Sequence, residues 1–512
     1  MNIGDQINEV FSRHAHRPVI SQGRRTLTFD NVASQTDNFL ARLPCELNGL
    51  IGIWGDNSTA SLTMIIAALR AGLPWISLSP TFPAERIAGV LTQLPISFVL
   101  ITRAALNCRP DLARAKRSGV ALLILEGEDL YSPLVLKGGG GSMGISPPAL
   151  PPSTYCVFTT SGSTGRPKYV PLSHENVGCF VENLHRSHDH GRRLSLLHPT
   201  SSSASLQNIL IALTSGAALC MPDNYNFLSF GKFLGEANVD TVHIGPSTIR
   251  LLTKLGQLQP AGLSFVRTTF IGGEIVRKVA LDQWIRAAIH SKVYNSYGPT
   301  EATVNISFHR CEGNRSEKWT SEIAPIGTPF HRHQAVVVDE ALEPVGAGCS
   351  GELILSGPQI APGYLGSPAE MISRFVTRPL IAGNEHWYRT GDLAVQDPQT
   401  GLFTVIGRID REIKIAGYRV HPSEIEAAIR EADRTADIEA AVIALEDGSG
   451  FVQRVVGFVE GSATPPPELL ARCKKLLPYY MLPTEIRPVS SLPMSPSGKV
   501  DYAALKAFAS QG

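Results

Sequence analysis

Residues 159–168 of the sequence, TTSGSTGRPK, combine hydroxyl groups, glycines and cations within a short run. The glycines allow the backbone to approach an anion closely and to present N–H groups to it. The hydroxyl groups add further donors, and Arg166 and Lys168 add positive charge. This composition is typical of a loop that holds nucleotide phosphates. The candidate phosphate-binding residues are Thr160, Ser161, Gly162, Ser163, Thr164, Gly165 and Lys168.

The spacing of this run excludes the Walker phosphate loop, in which a lysine directly follows the second glycine. Here Arg166 and Pro167 separate Gly165 from Lys168. Proline lacks an N–H group and disfavours the helical conformation in the residue before it. We therefore expect no helix to begin at this loop. Taken alone, the run is equally typical of a solvated turn, so its interpretation depends on the rest of the chain.

Composition and length limit the class of protein. The chain has 512 residues, which is too long for one core and predicts at least two domains. Its 46 basic and 45 acidic residues give a net charge of +1, which favours neither a nucleic acid nor a membrane as partner. The eight cysteines form no C-x-x-C pair. We find no signal peptide and no apolar run of the roughly 20 residues that span a bilayer. We expect a cytoplasmic protein.

Strand-like and helix-like segments alternate over the first 150 residues. Residues 50–54 and 98–102 predict buried strands, and residues 61–71 and 83–94 predict helices. This alternation indicates a mainly parallel sheet. Residues 350–406 are rich in glycine, proline and β-branched types, which predicts a strand-rich segment. After Gly407 a charged region of helices and strands closes the chain, so we place a domain boundary near Asp410.

Further segments with polar and glycine-rich composition follow the phosphate loop along the chain. They are NSYGPTE at 295–301, YRTGDL at 388–393, GRIDREIKIAGYR at 407–419 and LPMSPSGKVD at 492–501. Each alone is typical of a turn or a capped helix end. In this order and spacing they resemble the adenylate-forming superfamily, which includes acyl-CoA synthetases, luciferases and adenylation domains of nonribosomal peptide synthetases.

The resemblance extends over nearly the whole chain. It includes segments at 27–29, 71–75, 80–87, 351–366 and 477–483. The pattern P-x-x-P-x-x-R-I at 80–87 and the ending SGKVD at 497–501 are most similar to the peptide-synthetase branch. The resemblance implies an α/β fold with an α+β C-terminal part. Residues 1–409 would form a large lobe of parallel and mixed sheets with a β-rich subdomain, and residues 410–512 a small mobile lid.

The implied reaction is the attack of a carboxylate on the α-phosphate of ATP, giving an acyl-adenylate and pyrophosphate. Residues 160–168 would hold the β- and γ-phosphates, and Glu301 would ligate Mg²⁺, a hard cation that prefers oxygen. Thr300 would contact the α-phosphate, and Asp392 would accept the ribose hydroxyl groups. The other implied nucleotide-binding residues are Gly272, Gly273, Glu274, Ser296, Tyr297, Gly298 and Arg408, with Tyr297 on one adenine face and 272–274 on the other.

Lys499 is the implied catalyst of adenylation. An ammonium on a mobile lid can bridge the carboxylate and the phosphate and stabilise the charge that grows between them. Asp410 matches the hinge about which the lid rotates between an adenylating and a thioester-forming pose. Lys414, the other implied catalytic lysine, and Gly417 would lie on the face presented in the second pose.

The implied acid pocket lacks a feature of amino-acid-activating relatives. In those proteins an aspartate pairs with the α-ammonium of the substrate, and Ser203 stands at that position here. A buried ammonium that faces a hydroxyl group instead of a carboxylate would lose most of the interaction that offsets the cost of burying its charge. Either the substrate lacks a free α-ammonium or its amine is held elsewhere. A neutral aryl, heteroaryl, hydroxy, keto or N-masked acid fits the uncharged pocket better than a zwitterion. The pocket residues are Ser203, Ala204, Gln207, Ser247, Phe270, Gly272, Ser296, Val304 and Asn305.

The sequence is compatible with more than one acceptor of the acyl group. Because no carrier domain follows Lys499 before Gly512, we expect a free-standing enzyme that loads the phosphopantetheine thiol of a separate carrier protein. Amide formation with a free amine is the first alternative and ligation to coenzyme A the second. An inactive nucleotide-binding protein is a more distant alternative.

The sequence departs from the family pattern a second time at Tyr169, where relatives usually have glycine. Its ring could either narrow the phosphate loop or lie on the surface.

Overall fold

The fold is taken from a computed structural model of the chain. It describes residues 3–44, 47, 49–109, 120–137, 149–162, 166–187, 191–223, 227–311, 322–366, 368–381, 384–433, 438–447, 451–494 and 500–510.

The helices and strands of the described residues alternate over much of the chain. The helices are α1 Ile3–Arg13, α2 Phe29–Leu40, α3 Thr59–Ala71, α4 Ala84–Gln93, α5 Arg103–Cys108, α6 His174–Ser187, α7 Ser203–Ser215, α8 Phe230–Glu236, α9 Pro246–Lys254, α10 Lys278–Ala287, α11 Pro368–Arg374, α12 Pro422–Ala432, α13 Pro466–Cys473 and α14 Tyr502–Ser510, with 3₁₀ turns at Phe227–Ser229, Thr300–Ala302 and Tyr479–Met481. The strands are β1 Pro18–Gln22, β2 Arg25–Thr28, β3 Leu50–Trp54, β4 Trp75–Leu78, β5 Ile96–Thr102, β6 Ala121–Leu125, β7 Leu134–Lys137, β8 Thr154–Thr160, β9 Lys168–Ser173, β10 Arg193–Ser195, β11 Ala218–Met221, β12 Thr241–Ile244, β13 Thr268–Gly272, β14 Lys292–Tyr297, β15 Ser307–Arg310, β16 Gln334–Val338, β17 Ser350–Ser356, β18 Phe375–Ile381, β19 Asn384–Gln396, β20 Phe403–Arg408, β21 Ile413–Ile415, β22 Tyr418–Val420, β23 Glu439–Glu446, β24 Val452–Glu460 and β25 Glu485–Val489.

The first sheet has the strand order β7-β6-β5-β3-β4-β8-β9. Its inner pairs are parallel, and its two edge pairs are antiparallel. Every residue of Leu50–Trp54 is buried, as expected of a parallel strand covered on both faces. Helix α3 starts where the Ser58 side chain accepts from the Ser61 N–H and ends at Gly72 in the left-handed conformation. The predicted parallel sheet, its strands and its helices are confirmed.

The phosphate-loop segment joins two strands of this sheet. Strands β8 and β9 pair antiparallel, with Thr160 opposite Lys168. The chain continues from Lys168 as a strand, and helix α6 begins only at His174. The expectation that no helix begins at this loop is therefore confirmed.

The second sheet has the order β15-β14-β13-β12-β10-β11-β1-β2, again parallel inside and antiparallel at both edges. A third sheet, β16-β17-β19-β18 with β20 on β19, fills the predicted strand-rich segment. Helix α11 interrupts that segment, which the composition did not predict. Among the described helices, none combines the length and the apolar character that crossing a bilayer requires.

The residues after 410 build their own small sheets. Strands β21 and β22 form a hairpin, and β23-β24-β25 form a sheet that α12, α13 and α14 accompany. The apolar clusters of this region contain residues 413–509 alone, and those of the preceding region end at Val405. This arrangement is what a boundary at Asp410 would produce; the boundary itself stays a prediction.

Candidate functional site

A cleft of about 440 Å³ lies between the second sheet, the third sheet and the residues after 410. Several residues singled out in the sequence line it. They are Gly273, Glu274, Ser296, Tyr297, Gly298, Asp392, Arg408, Asp410 and Lys414. Segments separated by more than a hundred positions in the sequence therefore meet at a single cavity.

Asp392 is held from two sides in this cleft. The Tyr297 hydroxyl donates to Oδ2 of Asp392 over 2.5 Å, and Arg408 Nη1 donates to Oδ1 over 2.7 Å. Burial, followed by the negative charge of Asp392, raises the pKa of Tyr297 well above its usual value, so the phenol stays a donor. A carboxylate oxygen can accept more than one hydrogen bond, so Asp392 keeps capacity for ribose hydroxyl groups.

Two glycines beside the cleft permit close backbone packing. A Cβ on Gly298 would collide with Cα of Asn305 and the carbonyl of Val304, and one on Gly272 would collide with Ser296. Thr303 and Val304 adopt φ angles of 53° and 72°, which are strained for β-branched residues.

A buried glutamine that the sequence reasoning missed supports this turn. The backbone carbonyl of Gln359 accepts a hydrogen bond from the Thr303 hydroxyl over 2.6 Å. The side-chain Nε2 of Gln359 donates to the backbone carbonyls of Ala302 and Asn305. A glutamine within the mostly apolar, glycine- and proline-containing run 357–366 was the available signal.

The described part of the phosphate loop is largely buried. Thr160 and Ser161 are buried, and Lys168 is 2% exposed with its ammonium 5.1 Å from the centre of the Tyr364 ring. A Cβ on Gly162 would collide with the carbonyl of Arg166, so the loop turns tightly there. Ser163, Thr164 and Gly165 lie outside the described residues.

Glu301, the predicted ligand of Mg²⁺, is completely buried and already engaged. The Tyr364 hydroxyl donates to its Oε1 over 2.7 Å, and Arg419 Nη1 donates to its Oε2 over 2.8 Å. Burial raises the pKa of this carboxyl, but the positive charges of Arg419 and Lys168 outweigh burial and set it at about 2. The chemistry of a carboxylate suits Mg²⁺, yet this carboxylate fits the cation only when Arg419 withdraws. Within the described residues, no group of three His, Cys, Asp or Glu side chains could hold a metal.

Two arginines hold Asp410, the predicted hinge. Arg408 donates to both carboxylate oxygens, from Nε over 2.9 Å and from Nη2 over 2.7 Å, and Arg374 Nη2 donates over 2.6 Å. These pairs outweigh burial and hold the pKa of Asp410 well below its usual value. Arg374 lies on α11, an element that the sequence reasoning missed.

The hairpin β21–β22 reaches the loop at 272–274. The Gly417 N–H donates to Oε1 of Glu274 over 2.8 Å, and Lys414 lines the cleft. Burial lowers the pKa of Lys414, against the opposing effect of Asp392. Ser247, predicted as a pocket residue, donates from its hydroxyl to the same Glu274 carboxylate over 2.7 Å. Lys499 lies outside the described residues.

Hydrogen bonds also involve other residues of the predicted acid pocket. Ser203 Oγ lies 2.9 Å from Thr300 Oγ1, and Asn305 Nδ2 donates to Gln207 Oε1 over 2.5 Å. Gln207 Nε2 is buried without a hydrogen-bond partner in the described structure. The remaining predicted members are Ala204, which is half-buried, and Phe270, Gly272, Ser296 and Val304, which are buried. Of the predicted pocket residues, Ser296 alone lines the cleft.

The sequence reasoning also missed two histidines on the side of Phe270. The rings of His198 and His243 lie 4.7 Å apart, and His243 lies 6.2 Å from Phe270. Burial lowers the pKa of His198 to about 4 and that of His243 well below its usual value. Both imidazoles are therefore neutral at pH 7.

Tyr169 does not lie on the surface. Its side chain is 3% exposed and belongs to the apolar cluster that contains Phe82, Ile87 and Leu365. The charges of Arg86 and Glu424 act on its phenol, so the ring stands beside the ion pair that these two side chains form.

Comparisons with known proteins agree with this arrangement. The sequence profile of the AMP-binding enzyme family matches residues 7–365. Tyrocidine synthase 3 of Brevibacillus parabrevis is 30% identical over 98% of this chain, which spans 8% of that protein. The ligase of Pseudomonas savastanoi pv. glycinea for L-allo-isoleucine and the holo-CmaA peptidyl-carrier protein is 27% identical over 98% of this chain and 80% of its own length.

A solved structure shares the fold. The Vibrio cholerae adenylation domain AlmE, in complex with glycyl-adenosine-5'-phosphate, matches with a TM-score of 0.85 and 23% identity, covering 99% of this chain and 97% of AlmE. The expected α/β fold is confirmed. The chain thus belongs to the AMP-binding enzyme family.

Proposed function

We propose that the protein activates a neutral carboxylic acid as its acyl-adenylate and transfers the acyl group to the phosphopantetheine thiol of a carrier protein. The observation that carries the choice of acid is Ser203, whose hydroxyl faces Thr300 where amino-acid-activating relatives would offer a carboxylate. The relative from Pseudomonas savastanoi, a ligase for a peptidyl-carrier protein, supports the choice of acceptor.

In the proposed first step, a carboxylate oxygen of the substrate bonds to the α-phosphorus of ATP. The bond to the bridging oxygen breaks, and pyrophosphate leaves. Such transfers depend mainly on positioning and on neutralising phosphate charge. Asp392, fixed by Tyr297 and Arg408, holds the ribose, while Thr300 contacts the α-phosphate. Lys499 neutralises the charge that develops between nucleophile and phosphate.

The phosphate loop at 160–168 holds the departing phosphates in this proposal. Glu301 would hold Mg²⁺ once Arg419 withdraws, and the cation would add to the neutralisation of phosphate charge. Gly272, Gly273 and Glu274 flank the adenine on the side opposite Tyr297. The observed bond from Ser247 to Glu274 keeps this loop in place.

In the proposed second step, the thiolate of the carrier attacks the acyl carbon. A carbon–sulfur bond forms, the bond to the adenylate oxygen breaks, and AMP leaves. We assign the lid to residues 410–512, with Asp410 as its hinge. The hairpin β21–β22, which carries Lys414 near the cleft, belongs to the thioester-forming pose in this assignment.

ATP–pyrophosphate exchange with a panel of acids tests the first step. We expect exchange with a neutral acid and none with ordinary α-amino acids, and the Lys499→Ala variant should lose at least a hundredfold in rate. Exchange with α-amino acids but not with their desamino analogues would refute the neutral-acid proposal. No exchange with any acid would favour an inactive nucleotide-binding protein.

Product analysis tests the second step. The protein, ATP, Mg²⁺ and the active acid are incubated with a holo-carrier protein, coenzyme A or simple amines, and the products are identified by mass spectrometry. We expect a thioester on the carrier. An amide or an acyl-CoA formed faster than that thioester would replace the proposed acceptor.

A further inference from the structure

Two hydrogen bonds, one helical turn apart, join helix α7 to the segment 300–305. Ser203 Oγ lies 2.9 Å from Thr300 Oγ1. Asn305 Nδ2 donates to Gln207 Oε1 over 2.5 Å. Residues four positions apart lie on the same face of a helix, and their backbones are separated by about 6 Å along its axis. Gln207 therefore follows Ser203 on the helix face that meets this segment.

The bond to Asn305 leaves the amide group of Gln207 only partly satisfied. Gln207 is completely buried, and its Nε2 has no hydrogen-bond partner among the residues that the structure describes. Helix α7 is buried from Ser205 to Thr214, and Leu210 and Ile211, which follow Gln207 on its own face, are apolar. A buried donor without a partner is costly, and native structures contain few of them. The unused donor of Gln207 therefore indicates a partner that is not part of the chain.

Asn305 fixes the direction in which the Gln207 amide faces. The Asn305 N–H donates to the carbonyl of Thr303 over 3.0 Å, and the Asn305 carbonyl accepts from Gln359 Nε2 over 2.8 Å. The missing Cβ of Gly298 leaves room for the Asn305 backbone beside it. Because Asn305 Nδ2 is a donor, Gln207 must present its Oε1 to it and turn Nε2 away.

We propose that Gln207 Nε2 donates a hydrogen bond to an acceptor atom in the side chain of the substrate. The substrate would then be a neutral acid that carries a keto, ether or hydroxyl oxygen or a ring nitrogen. This inference rests on the proposed function, which places the substrate carboxylate beside Ser203 and Thr300. One helical turn then separates the acceptor from the carboxylate by about 6 Å. A hydrocarbon side chain of the same shape would leave the donor unpaired and would be rejected.

Three acyl-sulfamoyl adenosines test this inference. In these compounds a sulfamate replaces the phosphate of the acyl-adenylate, so they bind without reacting. Their acyl groups are para-methoxybenzoyl, para-ethylbenzoyl and para-(methylamino)benzoyl, which have nearly the same shape. The methoxy oxygen accepts a hydrogen bond, the ethyl group neither accepts nor donates, and the methylamino group donates. The para position separates the distinguishing atom from the acyl carbon by about one helical turn.

The affinities of the three compounds for the full-length protein are measured by titration calorimetry. We expect the methoxy compound to bind at least tenfold more tightly than the ethyl compound, because only its oxygen pairs with the buried donor. The methylamino compound should bind no more tightly than the ethyl compound. Equal affinities of the methoxy and ethyl compounds, or a preference for the methylamino compound, would overturn the inference.

Two variants assign the preference to the amide group. Gln207→Met removes the donor from a side chain of similar length and should reduce the methoxy preference to within about twofold. Asn305→Asp offers an acceptor to Gln207 Nε2, so the amide should turn and present Oε1 to the substrate. We expect this variant to bind the methylamino compound more tightly than the methoxy compound. An undiminished methoxy preference in Gln207→Met would contradict the proposed contact.

Asn208→Leu is the matched control on the same helix. It removes the next amide along α7, which donates to the carbonyl of Ser195 over 2.6 Å. The methoxy preference should persist in this variant, since a general loss of folded protein weakens all three compounds alike. AMP binding, measured in every variant, reports whether the nucleotide site is intact. If Asn208→Leu abolished the preference as Gln207→Met does, the discrimination would not belong to Gln207.

Failure of the proposed function gives a different result from failure of this inference. A protein that binds neither AMP nor any of the sulfamates lacks the proposed nucleotide site. Tighter binding of an α-aminoacyl sulfamate than of all three benzoyl compounds refutes the neutral acid. Retained binding of the benzoyl compounds without a methoxy preference refutes the acceptor on the substrate alone.

Discussion

Ser203 and Thr300 share a hydrogen bond of 2.9 Å between their hydroxyl groups. The contact joins the start of α7 to the 3₁₀ turn Thr300–Ala302, so a residue of the proposed acid pocket touches the proposed contact of the α-phosphate. In the proposed function, the carboxylate of the substrate lies near both. The hydroxyl of Ser203 is thus close to the reacting end of the acid, where an α-ammonium would otherwise require a carboxylate.

Replacing Ser203 with aspartate should change the acids that the protein accepts. The new carboxylate can pair with the α-ammonium of an amino acid. It repels the carboxylate of a substrate that has no ammonium group. We expect exchange with a small α-amino acid to appear and exchange with the native acid to fall about tenfold, which corresponds to about 1.4 kcal/mol. The control is Ser203→Asn, of similar size without charge. If the asparagine variant gains the same amino-acid exchange, charge is not the cause.

Tyr169→Ala should destabilise the protein, because the ring is buried in the apolar cluster around Phe82 and Ile87. Removal of a buried aromatic side chain typically costs about 3–5 kcal/mol. We expect a loss of about 3 kcal/mol in the free energy of unfolding, measured by urea denaturation. Tyr169→Phe retains the ring and should lie within about 1 kcal/mol of the native protein. An alanine variant of native stability would show that the ring does not pack as described.

Local and global features differ in how far the sequence predicts them. The apolar run at 50–54 and the end of α3 at Ala71 depend on neighbouring residues, and the structure has them as predicted. Helix α3 begins at Thr59, two residues before the predicted start at Ser61. Helix α11 was missed because a short helix within a glycine- and proline-containing segment leaves little periodicity.

The candidate site likewise contains residues that the sequence singles out and residues that it does not. Tyr297 and Asp392, which the sequence motifs single out, line the same cleft. The Arg86–Glu424 pair joins residues 338 positions apart, and no local pattern indicates such a partner. Gln359 likewise acts through tertiary contacts alone. Long-range polar partners therefore required the structure.

The stability of the protein should fall as the pH drops from about 6.5 to 4. Burial lowers the pKa of His198 and of His421 to about 4, below the ordinary value of 6.5 in an unfolded chain. Between these values the unfolded state binds more protons, so acid favours unfolding. We expect each histidine to account for roughly 2 kcal/mol at pH 4.5.

Melting temperatures measured between pH 7 and pH 4.5 test this dependence. His198→Gln and His421→Gln should each reduce the slope within that window. Carboxyl groups with lowered pKa values, such as Asp410 and Glu301, affect the stability mainly at pH values below that window. An unchanged slope in both variants would assign the acid sensitivity to other groups.

Gly417→Ala should affect acyl transfer more than adenylation. Gly417 adopts a φ of 82°, which costs a residue with a Cβ about 1–2 kcal/mol, and no atom lies within 4 Å of the position that the Cβ would take. The strain would therefore act on the hairpin β21–β22 and its bond to Glu274. We expect thioester formation to slow about tenfold and ATP–pyrophosphate exchange to stay within twofold.

Gly407→Ala is the matched control for this variant. A Cβ at Gly407 also meets nothing within 4 Å, and its φ is not positive. Single-turnover transfer rates should therefore be unchanged in the Gly407 variant. Equal slowing of both reactions in Gly417→Ala would indicate a general loss of folded protein instead of a specific effect on the hairpin.

The separation of the apolar clusters near residue 410 has an evolutionary consequence. In the described structure, the contacts across this point include hydrogen bonds and ion pairs, such as Arg419–Glu301 and Arg250–Asp447, and the cation–π contact of Arg250 with Phe451. Recombination at this point would leave the apolar core on each side intact. It would require only that the residues in contact across the junction remain compatible. Chimeras that join residues 1–409 to the C-terminal region of a relative should therefore stay folded, while the match of a few charged side chains decides whether their halves cooperate.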